Sequence, residues 1–116
     1  MSQSFAVKTS NGAMIAHSCV RAHSFVSRLV GLLNHSQLSD GEALLIDPCN
    51  QVHSFFMRFS IDVIFLDRQN IVVAHRELRP WRMTAMHFKA TKVLECALGT
   101  CRTHNIKKGD QLELPL

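Results

Sequence analysis

At 116 residues the chain is expected to form one domain over 1–116, long enough to bury a real core. Hydrophobic residues make up 47% and charged residues 19%, a balance that excludes an intrinsically disordered chain. The formal charge of +4 permits an anionic partner without demanding one.

No apolar run approaches the ~18 residues of a membrane span, and the longest candidate, at 61–66, is interrupted by Asp62. The first residues show no basic stretch leading into an apolar one, so no signal peptide and a cytoplasmic location are expected. Cys19, Cys49, Cys96 and Cys101 are scattered without a C-x-x-C pair, which reads as free thiols.

In chain order, residues 5–20 predict a β-hairpin. Two strand-like runs flank Asn11-Gly12, a pair suited to a type I′ turn. Ser24 then fits a helix N-cap, and Phe25, Leu29, Leu32 and Leu33 form one apolar stripe, predicting a helix at 24–34 with Arg28 off the stripe. A loop over 34–41 leads to a short buried strand at 43–46, stopped by Asp47-Pro48. Residues 52–57 and 60–66 read as extended, with a bend between them. A turn at 67–70 returns the chain as a partner strand at 71–75.

A long connection over 78–88 contains Pro80 and Trp81. A strand at 91–98, a single helical turn within 99–105 and a last short strand at 111–114 follow. The sum is an α+β fold: about seven short, mainly antiparallel strands in a curled sheet or partial barrel, with one main helix.

The residues that carry chemistry concentrate in P-C-N-Q-V-H-S-F-F-M-R-F-S-I-D-V-I-F-L, residues 48–66. Strand alternation places Cys49, Gln51, His53, Phe55 and Met57 on one face and Asn50, Val52, Ser54, Phe56 and Arg58 on the other. Cys49 and His53 suggest a nucleophile pair or two soft metal ligands; the blander reading is a core histidine beside a small buried thiol. On a straight strand the two stand about 13 Å apart, too far to bond unless the chain bends.

Cys49 and His53 with Cys101 and His104 do not follow a zinc-site spacing, so no metal and no cofactor is expected. Asp62 lies within an apolar strand in a phase opposite Ile61, Val63 and Phe65; it faces solvent beside Ile64 and Leu66, pairs with Arg58 or His53, or serves as a general base or ligand anchor. Glu95 is a second acid in an apolar strand, with the nearby arginines as candidate partners. Arg76, Arg79, Arg82, Lys89 and Lys92 surround Trp81, a combination that suits phosphates and bases, but no nucleic-acid motif accompanies them. The favoured reading is a solvated basic loop that Trp81, Met83, Met86 and Phe88 anchor to the core.

The 48–67 run, followed by V-L-E-C-A-L-G-T and I-K-K-G-D-Q-L, resembles the small bacterial and archaeal proteins of domain-of-unknown-function family 192, also called UPF0127 proteins. The S-R-L-V-G-L-L helix fits as well, and the resemblance runs from about Ala13 onwards. It rests on Pro48, Cys49, Asn50, His53, Phe56, Met57, Arg58, Ile61, Asp62 and Val63, on Glu95 and Gly99, and on Gly109-Asp110. It implies a compact strand-rich α+β domain and no particular activity. Family members often carry an N-terminal export signal, which is not read here, and usually have an apolar residue where Cys96 stands.

Three functions follow as expectations. The first is a small soluble module that binds an unknown small molecule or peptide in a pocket lined by Cys49, Asn50, His53, Met57 and Asp62, with Glu95 nearby. The second is an enzyme with Cys49 as nucleophile, His53 as base and Asp62 or Glu95 as orienter. The third is an interaction or nucleic-acid accessory protein that uses the basic 76–92 surface and binds in a salt-dependent way.

Overall fold

A computed structural model describes residues 4–22 and 38–115. Seven strands occur among them: β1 Ser4–Thr9, β2 Met14–Ala22, β3 Glu42–Ile46, β4 Ile61–Leu66, β5 Val72–Leu78, β6 Lys92–Ala97 and β7 Leu112–Glu113. The one helix among these residues, α1, is a single turn at Thr100–Thr103. The described residues are therefore mostly β. The expected helix at 24–34 lies outside them.

The seven strands form one sheet in the order β5-β4-β6-β3-β2-β1-β7. Its ends approach each other, because Ile71 bridges Gln111 and the Leu112 N–H donates to the Asn70 carbonyl at 3.0 Å. The sheet is thus curled into a half-barrel. All named pairings are antiparallel except β2 with β3.

The first hairpin forms as expected, but not with a type I′ turn. Only Gly12 has positive φ there, at 92°; its N–H donates to the Thr9 carbonyl at 2.9 Å, and the Thr9 N–H donates to the Ala13 carbonyl at 2.8 Å. That is a three-residue loop ending in a left-handed glycine, which needs one positive φ where type I′ needs two. Asn11 instead uses its side-chain oxygen to accept the Ala13 N–H at 3.2 Å.

β4 shows why the sheet holds. Every residue of Ile61–Leu66 is buried, because β5 and β6 flank it and apolar groups cover both its faces. Ile61, Val63 and Phe65 pack on one face with Leu44, Ile46, Val52, Met57 and Val93. Ile64 and Leu66 pack on the other with Val7, Ile15, Leu45, Leu94 and Leu112. Burying each such side chain contributes about 1.5–3 kcal/mol. Asp62 is the one polar side chain in this strand.

Candidate functional site

The chain from Cys49 to Met57 is not a regular strand, contrary to the expectation for 52–57. Its one bridge joins His53 to Met83. Further bonds run from the Thr84 N–H to the Val52 carbonyl at 2.8 Å and from the His87 N–H to the Asn50 carbonyl at 2.9 Å. Residues 50–56 and 81–87 thus lie side by side as an irregular ribbon. Alternation survives over the middle of it. Val52, Ser54 and Thr84 are buried, while His53, Phe55, Trp81 and Met83 are on the outer side.

Two turns close the ribbon, and both carry an aromatic residue in a left-handed conformation. The Met57 N–H donates to the Ser54 carbonyl at 3.1 Å, and Phe56 between them has φ 72°. After Pro80, Trp81 has φ 61°. Each aromatic occupies a position that favours glycine, at a cost of about 1–2 kcal/mol. Ser54, fully buried, ties the two turns together. Its hydroxyl accepts the Arg82 N–H at 2.8 Å and donates to the Arg79 carbonyl, and its own N–H donates to the Arg82 carbonyl at 2.8 Å.

The result is an aromatic ledge. His53 and Phe55 stack at 4.5 Å between ring centres, Phe55 and Trp81 at 6.2 Å, and Phe56 tilts against Trp81 at 4.8 Å. Phe56, Trp81 and Met83 are each 56% exposed and Phe88 is 85% exposed. This overturns the expectation that Trp81, Met83, Met86 and Phe88 anchor a loop to the core. The anchors are Thr84, Ala90 and His87, whose ring packs on Phe65 at 4.1 Å. The ribbon's alternation and the left-handed turn at Trp81 send the large side chains outward.

The six residues expected to share a site fall in different places. Cys49, Asn50 and His53 lie on the ribbon. The Cys49 thiol donates to the Gln51 carbonyl at 3.1 Å, and His53 Nδ1 accepts the Phe55 N–H at 3.3 Å. Met57 and Glu95 are buried on one face of the sheet. Met57 packs with Val52, Ile61 and Phe65, and Glu95 is opposite Leu44 and Val63 in the strand register.

Asp62 points to the other face, as its phase with Ile64 and Leu66 predicts, but it is buried rather than solvated. Its partners are neither Arg58 nor His53. Asp62 Oδ2 accepts the Gly99 N–H at 3.1 Å and the Cys101 N–H at 3.0 Å. The carboxylate therefore caps α1 from another strand and takes up two donors that the helix start leaves open. Gly99 makes this possible through a left-handed φ of 94°.

The thiols near Asp62 are poorly suited to nucleophilic chemistry. Burial pushes Cys101 up to about 12, helped by the neighbouring Asp62 carboxylate and its hydrogen bond to the thiol. Burial also pushes Cys19 up to about 12, against the pull of Arg21, and holds Cys96 well above the ordinary thiol range. The thiolate is the reactive form, so burial disfavours nucleophilic chemistry at these three. All four cysteines are free. Among the described residues no group of three or more His, Cys, Asp or Glu side chains is arranged to hold a metal ion.

Two open clefts flank these features. One, of about 690 Å³, lies between β5 and α1 and is lined in part by Asp62, Arg76, Cys101 and Arg102. The other, of about 630 Å³, lies between residues 76–79 and 82–85, at the foot of the ledge. Among the described residues no helix is long and apolar enough to cross a membrane.

Two solved structures share this fold. A protein of unknown function from Novosphingobium aromaticivorans superposes with a TM-score of 0.79 at 19% identity, over 97% of this chain and 85% of that one. A candidate transcription regulator from Sinorhizobium meliloti gives 0.75 at 19% identity, over 93% and 89%. Curated relatives, all described as UPF0127 proteins, include one from Pyrococcus abyssi, 42% identical over 53% of each chain. Another, from Thermococcus gammatolerans, is 32% identical over 77% of this chain and 61% of its own length. One from Pyrococcus horikoshii is 37% identical over 79% of this chain and 83% of its own. The chain thus spans little more than half the length of the first two. The family model described as DUF192, Uncharacterized ACR, matches residues 6–114, and the chain belongs to that family.

Proposed function

We propose that this protein is a peptide-binding module whose contact surface is the ledge formed by His53, Phe55, Phe56, Trp81 and Met83. The observation that carries this reading is the pair Phe56 and Trp81. Both are large apolar side chains held at positive φ and left more than half exposed. Folding gains little from that arrangement, since the left-handed backbone costs energy that offsets the contact between the rings, and the exposed parts of both rings forgo burial. Strain kept at an exposed apolar patch fits a surface completed by a partner. Aromatic and methionine side chains suit that task, because they supply large, adaptable contact area.

The reading takes residues 1–116 as one α+β domain. It places the protein in the cytoplasm, where four free thiols persist.

The test uses a dye-labelled neutral hexapeptide, acetyl-Gln-Leu-Gln-Phe-Gln-Leu-amide, followed by fluorescence anisotropy. We expect saturable binding that weakens at least about tenfold in Trp81→Ala and in Phe56→Ser, the size of a loss typical of an aromatic hot spot. Binding unchanged by both substitutions would overturn the reading. So would a sedimentation profile showing a dimer that Trp81→Ala dissolves, because the ledge would then be an interface between copies.

A further inference from the structure

The cleft at the foot of the ledge carries a charge pattern that the aromatic rings do not explain. It is lined by Arg76, Glu77, Arg79 and Arg82 together with Met83 and Thr84. Three arginines and one glutamate thus line the cleft, and Glu77 pairs with Arg79 at 3.8 Å in an exposed pair. An exposed pair of that length holds Arg79 weakly. Arg82 reaches the Trp81 carbonyl at 3.4 Å and Arg76 the His75 carbonyl at 2.7 Å, so two of the three guanidiniums rest on backbone oxygens within their own segment.

The cleft also runs beside an end strand. β5 is terminal in the sheet, and among the described residues the bonds that cover its outer side are those of Val72 with Gly109 and Asp110, at the end away from the cleft. An end strand offers backbone donors and acceptors to a second extended chain.

Resting on the ledge as a peptide site, we infer that the cleft selects an acidic partner. The occupant is an extended peptide whose carboxylates pair with Arg76, Arg79 and Arg82 while a neighbouring apolar side chain packs on Trp81 and Met83. Charge complementarity supplies the preference for acid, since a carboxylate matches the fork of a guanidinium. A single-stranded nucleic acid is the competing occupant for basic and aromatic surfaces. One observation weighs against it. The ledge rings pack on one another, with Phe56 tilted 59° to Trp81, which leaves no flat platform for successive bases.

The experiment compares acetyl-Glu-Leu-Glu-Phe-Glu-Leu-amide with its glutamine counterpart on the intact chain, and adds a uridine oligonucleotide as competitor. The acidic peptide is expected to bind about tenfold more tightly at low salt. That gain should vanish in the triple variant Arg76→Gln, Arg79→Gln, Arg82→Gln, in which neutral-peptide affinity stays the same. Equal binding of the two peptides would overturn the acidic preference and leave the ledge standing. A preference for acid that survives the triple variant, or an oligonucleotide that displaces the acidic peptide at lower concentration than unlabelled peptide does, would overturn it as well. Arginine-dependent binding that ignores Trp81→Ala would remove the ledge reading and keep the cleft. Since all three guanidiniums are exposed, the variant should fold, which urea denaturation checks.

Discussion

The two places where this chain breaks the rule of apolar inside and polar outside resolve in opposite ways. Asp62 is a carboxyl group inside the sheet, and the fold answers it from within: Gly99 and Cys101 turn two backbone N–H groups toward its Oδ2. Phe56 and Trp81 are rings outside the core, and the fold does not cover them. A buried polar group or an exposed apolar patch is the informative exception in a soluble protein. When the exception is satisfied within the chain, it is architecture. When the chain holds it open against strain, it is where we propose that a partner binds.

The largest test of this contrast is at Asp62. Asp62→Ala removes the acceptor from two buried donors and should cost about 3 kcal/mol or more in urea denaturation, because hydrogen bonds to a charged group are worth about 1.5–3 kcal/mol each. Asp62→Asn keeps one oxygen acceptor and should lose clearly less. Equal losses would mean that packing, not the pair of bonds, sets the cost.

Ser54 comes next, since it joins the two turns of the ledge. Ser54→Ala should cost about 1–2 kcal/mol by leaving the part-buried Arg82 N–H and Arg79 carbonyl without their hydroxyl partner. It should also shift the emission of Trp81, the single tryptophan of the chain. A stability loss with unaltered emission would separate Ser54 from the ledge.

A smaller effect links the two regions through pH. Burial, with Arg76 adding to it, lowers the His87 pKa from its ordinary 6.5, so the folded state favours the neutral ring. Its Nε2 is buried without a hydrogen-bond partner. The unfolded chain takes up the proton first as pH falls, so His87 supports full stability above about 6.5 and loses it as pH drops through the lower folded value. Comparing wild type with His87→Phe between neutral and mildly acidic pH isolates this part. His87→Phe should flatten the decline, and an equally steep decline in the variant would contradict the assignment.

Much of the sheet was legible in the sequence. The two hairpins, the strand at 43–46 and the helical turn after Gly99 all follow from alternation and turn residues. The parity argument also put Asp62 on the correct face of β4. Its partners were not legible, because they lie 37 and 39 residues further along the chain. The candidate site was read less well. Alternation held for Val52, His53, Ser54 and Phe55, then failed at Phe56, where a left-handed turn swings Met57 into the core. Nothing local signals an aromatic residue at positive φ, and a run such as P-W-R-M reads as an anchored loop until its pairing with 50–56 is known. The thiol and imidazole drew notice through their chemistry, while Ser54, which ties the ledge together, looked like an ordinary strand residue.

On the peptide-binding reading, the ledge is kept for binding and not for folding. Phe56→Gly tests it directly, because glycine relieves the left-handed strain while removing the ring. Stability in urea should stay within about 1 kcal/mol of wild type, since relief of strain offsets the lost contact with Trp81. Affinity for the neutral hexapeptide should fall at least about tenfold. A variant that loses several kcal/mol yet binds the peptide as before would contradict the claim.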